Sequence, residues 1–236
     1  AGLANKVGAR YAKKIFVTSS EAASFFPEGK TEIYGNPVRA LPEASTLERP
    51  KEFPEGKKCV FITGGSQGAL GINRKIEESI KEIIADTSLS VVWQVGSKHV
   101  ESFQERLGNL PNVSIVGFVN NVYAYFQYAD LIVSRAGASA LAEILAFGKP
   151  SVLLPFPHAT ANHQEKNARV VEKAGAALVE LDDEPNQLWA KISDLLNNDT
   201  KRGQMAEQAK NLGMPDAADR IAKAILKMEK YYAKNA

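Results

Sequence analysis

The strongest chemical signal in the sequence is Gly64-Gly65-Ser66-Gln67-Gly68-Ala69, which follows an apolar, β-branched run and opens a helical pattern. Glycines in such a loop admit positive φ angles and let main-chain N–H groups approach a ligand with no Cβ in the way. A helix starting directly behind adds the positive end of its dipole, so the arrangement suits a phosphate, with the Ser66 hydroxyl as a further donor. The loop lacks the Lys-Ser/Thr pair of a P-loop and departs from the dinucleotide Gly-x-Gly-x-x-Gly spacing. A tight strand-to-helix turn without a ligand is its plainer reading.

A second segment, Ser134 to Ala140, also follows a predicted strand, and its small residues Ala136, Gly137, Ala138, Ser139 and Ala140 leave another helix start open to an anion. Glu143 falls about two turns into that helix, where a carboxylate can accept two hydrogen bonds from a vicinal diol such as a ribose. A solvated helix charge is the alternative. A third segment, Pro155 to Ala168, is a polar loop running into a helix that is predicted to begin near Asn162. His158 and His163 there have no nearby Cys, Asp or third His to make a metal site, whereas Gln164 is an amide able to donate and accept, as hydroxyl recognition requires. Two smaller features are Gly117-Phe118-Val119-Asn120, an aromatic and open backbone able to border a planar base, and Arg39 in Gly35-Asn36-Pro37-Val38-Arg39, able to clamp a phosphate. A core Phe and a surface ion pair are the respective alternatives. Asp182 and Asp183 are contiguous rather than spaced as Asp-x-Asp at a strand end, so neither a metal-held pyrophosphate nor any cofactor is expected.

The elements that must carry these segments form a regular series. Strands are predicted at Lys58–Thr63, Ser90–Val95, Val113–Val116, Leu131–Ser134, Ser151–Leu154 and Ala176–Val179, with helical patterns between them. Several are apolar at consecutive positions, as strands covered on both faces must be, so the expected fold is α/β: a doubly wound, mostly parallel, six-stranded Rossmann-like sheet. Residues 1–35 stand apart, with a strand at Lys14–Thr18, a short helix at Ser20–Phe26 and an extended segment at Thr31–Tyr34. They read as the tail of a preceding domain in a truncated chain, since the sequence opens Ala1-Gly2-Leu3. The Pro-, Glu- and Lys-rich stretch 36–56 reads as a linker, 57–213 as the main domain, and 214–236 as an amphipathic helix packing toward the first part.

Composition narrows the class further. With 29 Lys and Arg against 27 Asp and Glu, a net charge of +2 makes no case for nucleic acid. The single cysteine, Cys59, lies in an apolar strand and reads as buried and inert. With no membrane-spanning run and no signal-peptide order, the chain is expected to be soluble and cytoplasmic.

Taken in order, Gly35-Asn36-Pro37-Val38-Arg39, Gly64-Gly65-Ser66-Gln67-Gly68-Ala69, Ser134-Arg135-Ala136-Gly137-Ala138 with Glu143 behind it, and His163-Gln164-x-x-Asn167-Ala168 resemble the MurG family over nearly the whole chain. That family comprises the UDP-N-acetylglucosamine:N-acetylmuramyl-(pentapeptide) pyrophosphoryl-undecaprenol N-acetylglucosamine transferases of peptidoglycan synthesis, two-domain GT-B enzymes. The resemblance implies that Gly65, Ser66, Gln67 and Gly68, with Ala138, Ser139 and Ala140, face the donor pyrophosphate. It places Arg39 close to the nucleotide, Glu143 on the ribose diol, Phe118 and the Val119 backbone at the uracil, and His163 and Gln164 on the sugar hydroxyls. It implies a direct, inverting transfer to the muramyl 4-hydroxyl of lipid I. The general base and lipid-acceptor surface belong to the family's other domain, so this chain alone is expected to bind donor weakly and turn over little. It also implies peripheral contact with the cytoplasmic face of the membrane, to which Lys223, Lys227, Lys230 and Lys234 could contribute, though a solvated face is the plainer reading of those lysines. Two other functions fit the same residues. A UDP-N-acetylglucosamine 2-epimerase would draw its acid and base from His158, His163 and Glu165, and a donor-binding subunit of a split transferase would take catalysis from a partner.

Overall fold

A computed structural model describes residues 2–159 and 162–234, which fall into two compact units, Ala1–Leu41 with Met214–Ala236 and Pro42–Gly213. The first unit opens with helix α1 (Leu3–Tyr11), strand β1 (Ile15–Val17), the short α2 (Ser20–Ala23) and strand β2 (Thr31–Ile33). Ser19 caps α2 by accepting from the Ala22 N–H at 3.2 Å, and β1 pairs in parallel with β2, Phe16 opposite Glu32.

The second unit alternates strands and helices. In chain order these are β3 (Lys58–Thr63), α3 (Leu70–Glu78), α4 (Ile80–Ala85), β4 (Leu89–Gln94), α5 (Val100–Leu107), β5 (Val113–Val116) and α6 (Val122–Tyr128). There follow β6 (Leu131–Ser134), α7 (Ala138–Ala146), β7 (Ser151–Leu153), α8 (His163–Lys173), β8 (Ala177–Val179), α9 (Leu188–Leu196) and α10 (Asp199–Leu212). The chain then returns to the first unit as α11 (Ala217–Lys234), where the Arg220 guanidinium lies 4.9 Å from the Tyr34 ring centroid and donates to the Ile33 carbonyl at 3.3 Å.

The six strands of the second unit are all parallel, in the order β5-β4-β3-β6-β7-β8. This is the doubly wound α/β arrangement expected from the consecutive apolar positions. Strand β4 is buried at every residue from Leu89 to Gln94 because helices cover both faces of the sheet. The larger core joins Val60, Ile62, Val91, Trp93 and Val133 of the sheet to Ile72 and Ile76 of α3 and Ile192 and Leu195 of α9. Cys59 is buried as anticipated; burial, with Asp130 beside it, pushes its thiol up to about 11, so it stays protonated and inert.

The stretch 36–56 is not a free linker throughout, since the residues from Pro42 onward pack in the second unit. Phe53 is fully buried there and meets the Tyr125 ring edge-on at 5.6 Å, Leu47 is buried, and the Tyr128 hydroxyl donates to the Leu47 carbonyl at 2.8 Å. The Pro- and Glu-rich composition masked two apolar anchors that cover the aromatic face of α6.

Candidate functional site

The strand order reverses direction at β3, with earlier-numbered connections running to one side and later ones to the other. In open α/β sheets that crevice, at the carboxyl ends of the strands, is where ligands bind. Register brings the relevant loops together: Thr63 is opposite Ser134, and Ser134 is opposite Leu153. The loops after β3, β6 and β7 therefore leave one sheet edge side by side, and these are the three segments singled out by residue type.

The glycine loop is shaped by its own backbone. Gly65 and Gly68 have φ of +78° and +74°, and a Cβ on Gly68 would stand 1.9 Å from the Val95 carbonyl oxygen. The Gly65 N–H donates to Thr63 Oγ1 at 3.0 Å, while the Gly65 carbonyl accepts from the Gly68 N–H at 3.0 Å and from Gln94 Nε2 at 2.8 Å. These two glycine amides thus hold the loop's conformation and are not presented to a ligand. Ser66 and Gln67 stand exposed at the tip, and α3 starts at Leu70 with no side-chain cap, so its first-turn N–H groups remain the anion-facing donors. Asn73 anchors this helix start: its Nδ2 donates to the Val95 carbonyl at 3.0 Å and its Oδ1 accepts from Trp93 Nε1 at 3.1 Å.

Helix α7 begins after Gly137, also without a side-chain cap, with Ala138 and Ser139 exposed and Ala140 half-buried. Glu143 is half-buried and accepts from the Tyr123 hydroxyl at 2.9 Å. Phe118 is 53% exposed, which removes the reading of it as a core residue, while Val119 beside it is buried. His163 is exposed at the first position of α8. Gln164 Oε1 accepts from the Phe156 N–H at 3.0 Å, tying the helix to the loop that carries Phe156 and His158. Arg39 is exposed and belongs to the first unit.

A cleft of about 1160 Å³ runs from this sheet edge along α3, lined by Gln67, Gly68, Gly71, Arg135, His158 and Gln164 among others. Gly65, Ser66, Phe118, Val119, Ala138, Ser139, Ala140, Glu143 and His163 are not part of its lining. The exposed members of that group, Gly65, Ser66, Phe118, Ala138, Ser139 and His163, meet solvent directly. Two residues that the sequence reading left without a role stand inside the cleft. Arg135 makes a two-pronged ion pair with Asp182, Nη1 to Oδ1 and Nη2 to Oδ2 both at 2.8 Å, and also donates to the Leu154 carbonyl at 3.1 Å. Asp182 in turn lies over Gly71, where a Cβ would come within 2.1 Å of its Oδ2. The visible signal was an arginine directly after a strand and an aspartate pair after β8; their pairing is long-range and no local pattern encodes it. Among the described residues no three His, Cys, Asp or Glu side chains gather as a metal ion would require.

Residues 59–221 match the glycosyltransferase family 28 C-terminal domain. The chain belongs to this family. Among curated relatives of this family 28 chain, the UDP-N-acetylglucosamine--N-acetylmuramyl-(pentapeptide) pyrophosphoryl-undecaprenol N-acetylglucosamine transferase of Salinibacter ruber is 36% identical over 239 residues, covering 100% of this chain and 65% of the relative. The chain therefore spans about two thirds of the length of the curated relatives it matches. In fold it is similar to the crystal structure of Acinetobacter baumannii MurG, with a TM-score of 0.76 at 24% identity over 96% of this chain and 64% of that one. It is also similar in fold to a putative UDP-N-acetylglucosamine 2-epimerase from Listeria monocytogenes, with a TM-score of 0.68 at 17% identity over 94% of this chain and 61% of that one. The second unit thus has the doubly wound fold of the C-terminal domain in GT-B enzymes.

Proposed function

We propose that this chain is the donor-binding part of an inverting N-acetylglucosaminyltransferase, using UDP-N-acetylglucosamine to glycosylate the 4-hydroxyl of undecaprenyl-pyrophosphoryl-MurNAc-pentapeptide in peptidoglycan synthesis. The observation that supports the reading is the register of Thr63 with Ser134, which brings the ends of β3 and β6, and with them the loops leading into α3 and α7, next to each other at the switch point. Two uncapped helix starts suit the two phosphates of a nucleotide-sugar. The Phe118 face then receives the uracil, Glu143 accepts from the ribose diol, and Gln164 and His163 read the sugar. Residues 1–35 are the tail of an acceptor-side domain, which carries the general base and the lipid-facing surface at the cytoplasmic membrane face. No helix among the described residues is long and apolar enough to cross a membrane, which fits peripheral contact.

In the proposed reaction the muramyl 4-hydroxyl attacks the anomeric carbon, the bond from that carbon to the UDP oxygen breaks with inversion, and the hydroxyl proton passes to the base. What this chain contributes is leaving-group stabilisation: negative charge building on the β-phosphate meets fixed N–H dipoles that need no reorganisation. Calorimetric titration of the chain with UDP, UDP-N-acetylglucosamine, UDP-glucose and UDP-galactose tests the reading. Binding of all four with preference for the N-acetylglucosamine donor is expected; no heat with UDP at millimolar concentration would sink it. Release of an N-acetylmannosamine product from the donor would point instead to epimerase chemistry drawing on His158, His163 and Glu165.

A further inference from the structure

One contact of Glu143 plays no part in the proposed chemistry. Tyr123, the second residue of α6, donates its hydroxyl to Glu143 Oε1 at 2.9 Å. Its ring is buried and fixed by neighbours, tilted against Phe147 at a centroid distance of 5.0 Å and stacked on Phe126 at 6.4 Å. A ring held in this way gives the O–H one fixed origin, whereas a half-exposed glutamate with three side-chain torsions has many conformers of its own. A carboxylate offers about four acceptor positions, so a donor that orients it can share it with a diol.

We propose that Tyr123 is a positioning residue for ribose recognition, orienting the Glu143 carboxylate toward the two hydroxyls of a ribonucleoside diphosphate. The inference rests on the reading of Glu143 as the ribose ligand and adds to it the group that preorganises that ligand. It also ties two parts of the site together. Helix α6 follows directly on the loop carrying Phe118, so the element that presents an aromatic face to the base also holds the carboxylate for the sugar. A pre-set acceptor loses less conformational freedom on binding than a mobile one, and that difference appears as affinity.

The test uses the full chain and two probes, UDP and 2′,3′-dideoxy-UDP. Tyr123→Phe keeps the ring and its packing and removes only the donor. UDP binding is expected to weaken about tenfold, as for loss of a hydrogen bond to a charged group, while dideoxy-UDP binds Tyr123→Phe and wild type alike. In the Glu143→Ala background the same substitution is expected to change UDP binding by less than about twofold, since contacting residues couple and the effect passes through Glu143. Equal weakening of both probes, or an undiminished loss in the Glu143→Ala background, would overturn the proposal. Wild type that binds UDP and dideoxy-UDP equally would overturn the ribose reading of Glu143 itself, and wild type that binds neither would overturn the donor site.

Discussion

In the proposed site a carboxylate and an amide divide the recognition of a nucleotide-sugar between them. Glu143 accepts hydrogen bonds and so addresses any ribose, whatever sugar is attached, whereas an amide such as Gln164 can both donate and accept and so can tell one hydroxyl arrangement from another. Glu143→Ala is therefore expected to weaken UDP-N-acetylglucosamine, UDP-glucose and UDP-galactose by a common factor, about 10- to 100-fold for the loss of charge-assisted hydrogen bonds. Gln164→Ala should leave UDP nearly unchanged and reduce the spread among the three sugars. Competition against a fluorescent UDP analogue reads both, and the reverse pattern would exchange the two assignments. Gln164 also accepts from the Phe156 N–H, so its loss loosens the loop that carries His158 as well. At this scale the sequence was informative about geometry, since Gly65 and Gly68 take the positive φ angles that glycine allows and the Phe118 ring stands 53% exposed. It was silent on the pairing of Arg135 with Asp182, because an ion pair across 47 residues of chain leaves no local spacing to read.

Helix α3 is the element on which the site turns, and two separate devices hold its ends. At its start, Gly68 combines a φ of +74° with a carbonyl that a Cβ would meet at 1.9 Å, so Gly68→Ala must both adopt a left-handed conformation and push Val95 aside. The conformation alone costs about 1–2 kcal/mol. With the collision added, a fall in Tm of at least about 5 °C is expected by calorimetry, together with loss of UDP binding as the loop moves off the helix start. Further along, Lys75 of α3 donates to Glu180 Oε1 at 2.7 Å, Lys191 of α9 to Glu180 Oε2 at 2.6 Å, and Lys75 and Glu180 are each 1% exposed. Burial pushes the Glu180 carboxyl upward, but hydrogen bonds from Lys191, Lys75 and the Gln187 N–H outweigh it and hold the group below its ordinary value. An acid whose folded-state pKa is depressed contributes stability above its unfolded pKa and loses it as pH falls through the folded value. The urea midpoint of the wild type should accordingly fall more steeply below about pH 4.3 than that of Glu180→Gln, and Glu180→Ala should cost about 3–5 kcal/mol at neutral pH by stranding two lysines. The strands and helices themselves were legible because several strands of the main sheet are apolar at consecutive positions between turn residues. The cover made by Leu47 and Phe53 was not, since two anchors in a polar, proline-rich stretch have no periodicity to betray them.

The molecule as a whole consists of two units of unequal chemical content. The second contains the switch point, the glycine loop and every residue lining the cleft; the first contains Arg39 and the two-stranded sheet of β1 and β2. That the chain leaves the first unit near Leu41 and returns to it at Met214 was only half visible in sequence. The amphipathic pattern of α11 marked a face in need of a partner, but nothing local could say that Arg220 would meet Tyr34 and Ile33. This division predicts where ligand stabilisation must appear. A ligand that binds only the folded state stabilises it by RT ln(1 + [L]/Kd), about 2.7 kcal/mol at one hundred times Kd. Hydrogen exchange at that UDP concentration should slow at the amides of residues 66–72 and 138–140, which lead into and begin α3 and α7, and across the strands of the main sheet. Exchange within α1 and β1, whose opening does not require unfolding of the main sheet, should be unaffected. Protection confined to α1 and β1, with residues 66–72 exchanging as in the free chain, would move the phosphate site out of the second unit and take with it the role given to the paired helix starts.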